Sequence, residues 1–339
     1  SKAGLRSVEK FLSLPTRLLV FALPLTILFG AIVANLLIPE LSSFWEAAIL
    51  ATILAPTDAG LGQAIVENVK VPARIRQALN IEAGLNDGLS IPFLTLFMAL
   101  VIFENPLQNA SFLHFMGEQV GFGVLVGMVV GFAGGWLVRE AENRDWMLPT
   151  LAQLSLPALA IIAWLAADLM GGNGFIAAFV GGLTVRVPYK NIKTYSLEFS
   201  SAAGQLLNLA VFSLFGMVVT HEFHLFTPVL ILYAVLSLTI IRILPVIISM
   251  RGTGLHRSST LFMGWFGPRG LASIVLVMVF LEQHVTFPNE ALIKTAVYLT
   301  VLISIYAHGL SAHPGINWYS RQLATLAPSA PEIKGQTKD

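Results

Sequence analysis

Two carboxylates and an amide interrupt a long apolar stretch, and they are the residues of this chain best suited to chemistry. The stretch covers residues 75–103 and contains Glu82, Asn86 and Asp87. Its length is typical of a membrane-spanning helix, on which Glu82 and Asn86 share a face and Asp87 lies about 140° from Glu82. Because each ionised carboxylate costs about 2.5–3.5 kcal/mol at mid-bilayer, two of them in one span indicate a function.

The composition places the rest of the chain in the membrane as well. Hydrophobic residues make up 55% of the 339 residues and charged residues 12%, against about 25% in soluble proteins. The mean hydropathy is +0.76. The net charge of +1, without a long Lys/Arg tract, argues against nucleic acid as a partner, and the absence of cysteine excludes disulfides and thiol chemistry. We therefore predict an all-α polytopic membrane protein embedded in a lipid bilayer.

The hydropathy pattern predicts about ten transmembrane segments. They cover residues 18–38, 46–66, 75–103, 118–139, 150–170, 174–186, 199–220, 226–249, 258–283 and 289–312. Basic and non-basic loops alternate between them, apart from Lys294 just inside the last segment, which predicts that both ends of the chain are cytoplasmic. The short segment 174–186 could be a tilted span or an in-plane amphipathic helix, and the loop alternation favours the span.

The domain organisation is simple. A transmembrane domain is expected over residues 1–323 and a disordered cytoplasmic tail over residues 324–339. The chain opens on SKAGLRSVEK, without Met, as a loop would that follows an earlier segment. We therefore expect the transmembrane domain to be incomplete at its N-terminus.

Two segments are interrupted where a simple helix would continue. Segment 46–66 carries APTDAGLG and segment 258–283 carries GWFGPRGLAS, and each cluster includes one charged residue, Asp58 or Arg269. Proline removes a helix hydrogen bond, and the carbonyl groups that it frees must line a cavity or be covered by protein. Two discontinuous helices of opposite direction predict an inverted-repeat transporter with an ion site where the helices cross.

Three motifs carry a family resemblance. The runs LAPTDAGLGQA, VPARIRQALNIEAGLNDG and FGPRGLAS, in this order and spacing, resemble sodium/proton antiporters of the monovalent cation:proton antiporter-1 family, of the prokaryotic type. The resemblance covers nearly all of the apolar chain. It implies a secondary transporter rather than an enzyme, with a role in sodium transport and pH homeostasis. It also implies a homodimer and about three further helices before the first one in this chain.

The predicted ion site centres on Asp87. A carboxylate in a dehydrated pocket is costly when empty and charged, so it binds either a cation or a proton. The resemblance implies the same role for this aspartate. Asn86 is expected to position Asp87 or to gate the cavity. Thr57 and Asp58 are expected to bring oxygen atoms from the interrupted segment, so that Na⁺ or K⁺ lies at Asp87 and Thr57. Asp58 could equally cap the second half-helix at Ala59.

A structural ion pair is predicted between Glu82 and Arg269. Each would be costly alone in an apolar segment, and pairing offsets much of that cost. The resemblance implies the same pair, which holds two helices together. One departure concerns Ala83, where many relatives have a serine, so that one ligand oxygen is lost or replaced by water. Some relatives also use a carboxylate from a helix upstream of Ser1.

The predicted function is the exchange of a monovalent cation, Na⁺ in the first place, for H⁺ by alternating access. The asparagine–aspartate pair implies electroneutral exchange by the resemblance. A potassium/proton antiporter of the same fold is the alternative, and a cation channel is a more remote one, because no symmetric pore-loop repeat is present. An intramembrane aspartyl protease would have Tyr-Asp and Gly-x-Gly-Asp motifs, whereas Thr57 and Asn86 precede the two aspartates.

No cofactor is expected besides the transported ions, and a bacterial inner or plasma membrane is the expected location.

Overall fold

The computed structural model describes residues 14–102, 110–190, 192, 194–282, 287–326 and 330–332, and this part of the chain is helical, without strands. The chain forms two compact units. Unit 1 comprises Ser1–Val101 and Phe215–Asp339, and unit 2 comprises Ile102–Leu214. The N-terminal run SKAGLRSVEK, which was predicted to be a loop, is outside the described residues, as are residues 327–329 and 333–339 of the predicted tail.

The described residues form a succession of α-helices with short connections. Those before unit 2 are α1 (Leu23–Leu37, after a π-helical turn at Leu18–Ala22), α2 (Phe44–Ile53), α3 (Ala59–Val66) and α4 (Ala73–Ile102). Those that follow are α5 (Ala110–Asn143), α6 (Pro149–Leu169), α7 (Gly174–Thr184) and α8 (Thr194–Glu222). The last are α9 (Pro228–Leu238), α10 (Ile240–Ser249), α11 (Arg257–Trp265), α12 (Leu271–Leu281) and α13 (Glu290–Ala324).

The helices agree with a polytopic membrane protein. Among the described residues, seven helical stretches are long and apolar enough to cross a membrane. The remaining predicted segments correspond to α7 and to the two helix pairs α2–α3 and α11–α12. All ten predicted segments thus coincide with a helix or with a pair of half-helices.

Both predicted interruptions are present. Helix α2 ends at Ile53 and α3 begins at Ala59, while α11 ends at Trp265 and α12 begins at Leu271. We call residues 54–58 the first break and residues 266–270 the second break. Each contains the proline of its motif, which cannot donate the hydrogen bond that a continuous helix requires.

A third interruption was not predicted. The segment 226–249 divides into α9 and α10 at Thr239, whose dihedral angles are φ −113° and ψ −94°. The hydroxyl of Thr239 donates to the carbonyl of Val235 at 2.6 Å. Such bonding to the preceding turn often bends helices. Thr295 and Thr300 make the same bond inside the continuous α13, so this bond contributes to the break at Thr239 without explaining it alone.

An aromatic cluster anchors the first half of the second broken helix in unit 1. Phe262 of α11 stacks on Tyr319 of α13 with ring centroids 4.3 Å apart, and it also contacts Phe266 at 4.6 Å. Buried apolar residues of α4 and α10, among them Ile75 and Val246, complete the cluster. Helix α11 therefore packs on α13 immediately before the second break.

In unit 2, glycines of α5 allow the backbones of α5 and α7 to touch. A Cβ atom at Gly127 would lie 2.5 Å from the carbonyl oxygen of Ala177, and one at Gly131 would lie 2.5 Å from that of Gly181. Asn173 caps α7 by accepting hydrogen bonds from the amides of Phe175 and Ile176. With 11 residues, α7 is short for a span, and the choice between a tilted span and an in-plane helix stays a prediction.

The prediction of a disordered tail was wrong for Pro331 and Glu332. Glu332 is only 2% exposed. Its carboxylate accepts hydrogen bonds from the amide of His256 at 2.5 Å and from the hydroxyl of Ser259 at 2.9 Å. Arg74 donates to the carbonyl of Pro331 at 3.1 Å. The polar composition of the tail indicated disorder, but the N-terminus of α11 offers donors that hold this short piece in place.

We expect Glu332→Ala to lower the stability of the purified protein in detergent by about 1–3 kcal/mol, because two buried donors lose their acceptor. Glu67→Ala is the matched control, since Glu67 is exposed and accepts only an exposed hydrogen bond from Gln63. Thermal unfolding of both variants measures the difference. Equal melting temperatures would show that the tail contact contributes nothing.

Candidate ion-binding site at the two helix breaks

The two breaks of unit 1 contact each other through their backbones. The amide of Asp58 in the first break donates to the carbonyl of Pro268 in the second, at 2.8 Å. In return, the guanidinium group of Arg269 donates to the carbonyls of Ala55 and Pro56, at 2.8 and 3.1 Å. Each break thus supplies a partner for backbone groups that the other leaves outside a helix.

Asp58 caps two helices at once. Its Oδ1 atom accepts a hydrogen bond from the amide of Leu61 in the first turn of α3, at 2.8 Å, and its Oδ2 atom accepts a short one from the amide of Leu271 in α12. The capping role that the sequence left open is therefore observed, at two helix N-termini rather than one. Both N-termini carry partial positive charge, so they compensate the buried carboxylate.

Two glycines of the second break make this contact possible. A Cβ atom at Gly270 would overlap the carboxylate of Asp58. A Cβ atom at Gly267 would lie 2.6 Å from Nε of Arg242 and 2.9 Å from Cγ2 of Thr57. Gly267 and Gly270 are therefore required by the close packing of the second break against the first break and against Arg242.

The structure corrects the predicted Glu82–Arg269 ion pair. Glu82 pairs with Arg242, whose Nη2 atom lies 2.6 Å from Oε1 and 2.8 Å from Oε2 of the carboxylate. Both side chains are buried, with 1% and 3% of Arg242 and Glu82 exposed. Arg269 instead donates to the carbonyls of Ala55 and Pro56 in the first break, which lie beyond the end of α2 and outside any helix.

Sequence reasoning missed Arg242, although a signal for it existed. It is the single basic residue of the apolar segment 226–249, and a lone buried charge in a span needs a partner. The same argument had singled out Glu82 and Arg269. With Arg242 included, two bases compete for Glu82, and only the three-dimensional arrangement decides between them.

Asn86 joins α4 to the first break. Its Nδ2 atom donates to the hydroxyl of Thr57 at 2.7 Å. Both side chains are buried, Asn86 with 1% and Thr57 with 3% exposed. The Oδ1 atom of Asn86 is buried and has no hydrogen-bond partner among the described residues. This amide oxygen is therefore a hydrogen-bond acceptor within the predicted site that no described side chain or backbone group uses.

Asp87 differs from the other predicted site residues in its surroundings. Asp87 keeps accessible surface although protein surrounds much of its carboxylate, and the described residues form no hydrogen bond or ion pair with it. The carboxylate of Asp58 is close enough to act on it electrostatically. A small cavity opens beside the first break and is lined by Thr57, Asp58 and Ala83, without Asp87. Thr57, Asp58 and Asn86 are thus brought together, and Asp87 stands at the edge of this group.

One known protein family matches most of the chain. A family described as "sodium/hydrogen exchanger, transmembrane" matches residues 5–318. The chain belongs to the sodium/hydrogen exchanger family. This membership confirms the predicted family, which the three motifs around the breaks and α4 had indicated.

Two antiporters resemble the chain over most of its length. A probable Na(+)/H(+) antiporter of Schizosaccharomyces pombe is 28% identical over 330 residues, which cover 86% of this chain and 43% of the relative. The K(+)/H(+) antiporter NhaP of Alkalimonas amylolytica is 25% identical over 277 residues, covering 80% of this chain and 47% of the relative. The chain thus spans about half the length of these two relatives, one of which is eukaryotic.

Solved structures show the exchanger fold. The sodium proton antiporter MjNhaP1 from Methanocaldococcus jannaschii at pH 8 aligns with a TM-score of 0.63 and 17% sequence identity, over 90% of this chain and 79% of that one. An electron-microscopy structure of the same antiporter aligns with a TM-score of 0.69 over 95% of this chain and 80% of that one. The predicted all-α membrane fold is confirmed.

A double-mutant cycle tests the corrected ion pair. We expect Glu82→Gln and Arg242→Gln each to destabilise the protein strongly, because each leaves a buried charge without its partner. Combined, they should be far from additive, with a coupling energy of about 3 kcal/mol in unfolding experiments in detergent. The cycle of Glu82→Gln with Arg269→Gln is the control and should give a smaller coupling. The reverse order of the two couplings would restore the Glu82–Arg269 pair.

Proposed function

We propose that this chain exchanges a monovalent cation for a proton across a membrane by alternating access, with Asp87 as the group that binds either ion. The observation that carries the proposal is electrostatic. Asp87 is the one charged side chain beside the two breaks that receives no hydrogen bond or countercharge from the described residues.

The other charges beside the breaks are compensated within unit 1. Asp58 lies at the N-termini of two helices, and Glu82 forms an ion pair with Arg242. Arg269 donates to two carbonyl groups just beyond the C-terminal end of α2, where the partial charge of a helix is negative. Three carboxylates and two guanidinium groups leave one net negative charge, and the group without a protein partner is Asp87.

A carboxylate in this position favours exchange over simple binding. Inside a membrane an ionised carboxylate without a partner is costly, and either a proton or a cation removes that cost. The two ligands exclude each other because they neutralise the same group. Binding of one therefore releases the other, which is the requirement for coupled movement in opposite directions.

The oxygen atoms nearby suit Na⁺ or K⁺. The hydroxyl of Thr57 is fixed by Asn86, and the Oδ1 atom of Asn86 is buried without a partner. Together with Asp87 they offer hydroxyl, amide and carboxylate oxygens, which can replace part of the hydration shell of a hard cation. Ala83 supplies no oxygen, so we expect water to complete the coordination. In this proposal Na⁺ is the transported ion.

Potassium is the second candidate for the transported ion. The similarity to the K(+)/H(+) antiporter NhaP of Alkalimonas amylolytica favours it as much as the similarity to the antiporter of Schizosaccharomyces pombe favours sodium. Both ions would use the same oxygen atoms and the same carboxylate.

We further propose that both ends of the chain are cytoplasmic, from the charge of the loops, and that the protein acts as a homodimer.

Proton movement driven by a cation gradient tests the proposal. In proteoliposomes with an internal pH dye, we expect added Na⁺, or K⁺ for the second candidate, to change the internal pH with the intact protein and not with Asp87→Asn. Asp168→Asn is the matched control, because Asp168 is an exposed aspartate near the end of α6 in unit 2, and it should transport like the intact protein. If no ion moves protons with the intact protein, the proposed exchange is refuted. If Asp87→Asn equals the intact protein, Asp87 is not the site.

The single net charge beside the breaks also predicts electroneutral exchange. One cation replaces one proton, so the transport rate should not respond to a membrane potential. An imposed potential of about 100 mV would shift the energetics by about 2.3 kcal/mol for each net charge moved. Initial rates of Na⁺-driven proton movement, measured with and without such a potential, should agree. A clear dependence on the potential would contradict the count of one negative charge.

A further inference from the structure

His308 is a buried histidine of α13 for which the proposed exchange has no role. It is 3% exposed, and Ser304, one turn earlier on the same helix, is 0% exposed. Both face the second break. Neither residue belongs to the three sequence motifs, and the sequence alone gave no reason to single them out.

The hydrogen bonds of His308 define the position of its proton. The Nε2 atom lies 2.9 Å from the carbonyl oxygen of Trp265, the last residue of α11. A carbonyl oxygen only accepts, so Nε2 carries a proton. The Nδ1 atom lies 3.0 Å from both the hydroxyl and the carbonyl oxygen of Ser304. The Ser304 carbonyl already serves the helical hydrogen bond of α13, whereas its hydroxyl can donate to an unprotonated Nδ1. A neutral ring with its proton on Nε2 therefore satisfies the Trp265 carbonyl and the Ser304 hydroxyl together.

Ser304 extends this connection to the other side of the second break. Its hydroxyl oxygen accepts a hydrogen bond from the amide of Arg269 at 2.7 Å. The hydroxyl proton is then free to point at Nδ1 of His308. The chain of hydrogen bonds runs from the Arg269 amide through Ser304 and His308 to the Trp265 carbonyl, so α13 binds the backbone at both ends of the second break.

The second break holds the first break in place through hydrogen bonds. Pro268 accepts the amide of Asp58, and Arg269 donates to Ala55 and Pro56. A displacement of the second break would therefore displace the segment that carries Thr57 and Asp58. The second break is held on one side by the first break and on another by Ser304 and His308.

We propose that His308 is a positioning residue for the ion site, acting with Ser304 through the backbone of the second break. The neutral ring fixes the Trp265 carbonyl and, by way of Ser304, the Arg269 amide, and these fix the first break and the oxygen atoms of Thr57. The proposal rests on the exchange function proposed above. It differs from a role in general packing, because it requires the hydrogen bonds and not the ring volume.

A neighbouring contact supplies the control. The indole Nε1 atom of Trp265 donates to the hydroxyl of Ser311 at 3.0 Å, which also ties α11 to α13. This bond involves the side chain of Trp265 and leaves the backbone of the second break untouched. Ser311→Ala therefore removes a tether between the same two helices without affecting the positioning that we propose.

Transport kinetics test the proposal in proteoliposomes. His308→Phe keeps a ring and removes both hydrogen bonds, and Ser304→Ala removes the link to Arg269. For each we expect the apparent KM for the driving cation to rise about tenfold, which corresponds to one lost buried hydrogen bond. Ser304→Thr retains the hydroxyl and should restore the KM, while Ser311→Ala should keep it. A purely structural role would lower the maximal rate per amount of protein and leave the KM unchanged.

Hydrogen–deuterium exchange gives a second readout that does not depend on transport. The amide of Arg269 should exchange faster in His308→Phe and Ser304→Ala than in the intact protein, and at the intact rate in Ser311→Ala. If His308→Phe does not fold, the comparison of Ser304→Ala with Ser304→Thr decides. Unchanged KM and unchanged exchange in Ser304→Ala would overturn the role of His308 and Ser304. Absence of transport by the intact protein would instead overturn the proposed function.

Discussion

Two opened helices in a membrane leave backbone groups without helical partners, and unit 1 is arranged around the need to satisfy them. Lipid offers no hydrogen-bond partners in the hydrocarbon region, so the partners must come from protein or from a water-filled cavity. The breaks serve each other through Asp58, Pro268 and Arg269. Helices on either side supply the rest, with Asn86 bound to the first break and Ser304 to the second. The site is therefore a junction, formed by the two breaks, whose backbone groups are bound by side chains and by each other rather than by helical neighbours.

The same arrangement distributes the buried charges. Each charge that holds the junction together has a compensating group: two helix N-termini for Asp58, Arg242 for Glu82, and carbonyl oxygens for Arg269. Such charges contribute to the framework that holds the two breaks together. Asp87 takes no part in the framework. Separation of the framework charges from a single uncommitted carboxylate is what makes this geometry suited to exchange.

Most of the fold could be predicted, because its signals are local. Apolar runs of span length, prolines within them and clustered glycines gave the ten segments and both predicted breaks. The failures have physical reasons as well. The break at Thr239 coincides with a hydroxyl bond to the preceding turn, which Ser and Thr residues also make in unbroken helices, so its presence in the sequence gives no signal. The placement of Glu332 depends on donors that lie more than 70 residues earlier in the chain.

The sequence by itself determined that this is a helical membrane protein of the exchanger family, that two helices are broken, and that Glu82, Asp87 and Arg269 are charges in need of an explanation. Tertiary structure decided which charge each one meets. The cost of burial shows that a charge requires a partner, but it does not show which residue that partner is. Glu82 and Arg242 are 160 residues apart and meet only because α10 passes α4 at that level, so their pairing follows from the packing of distant helices.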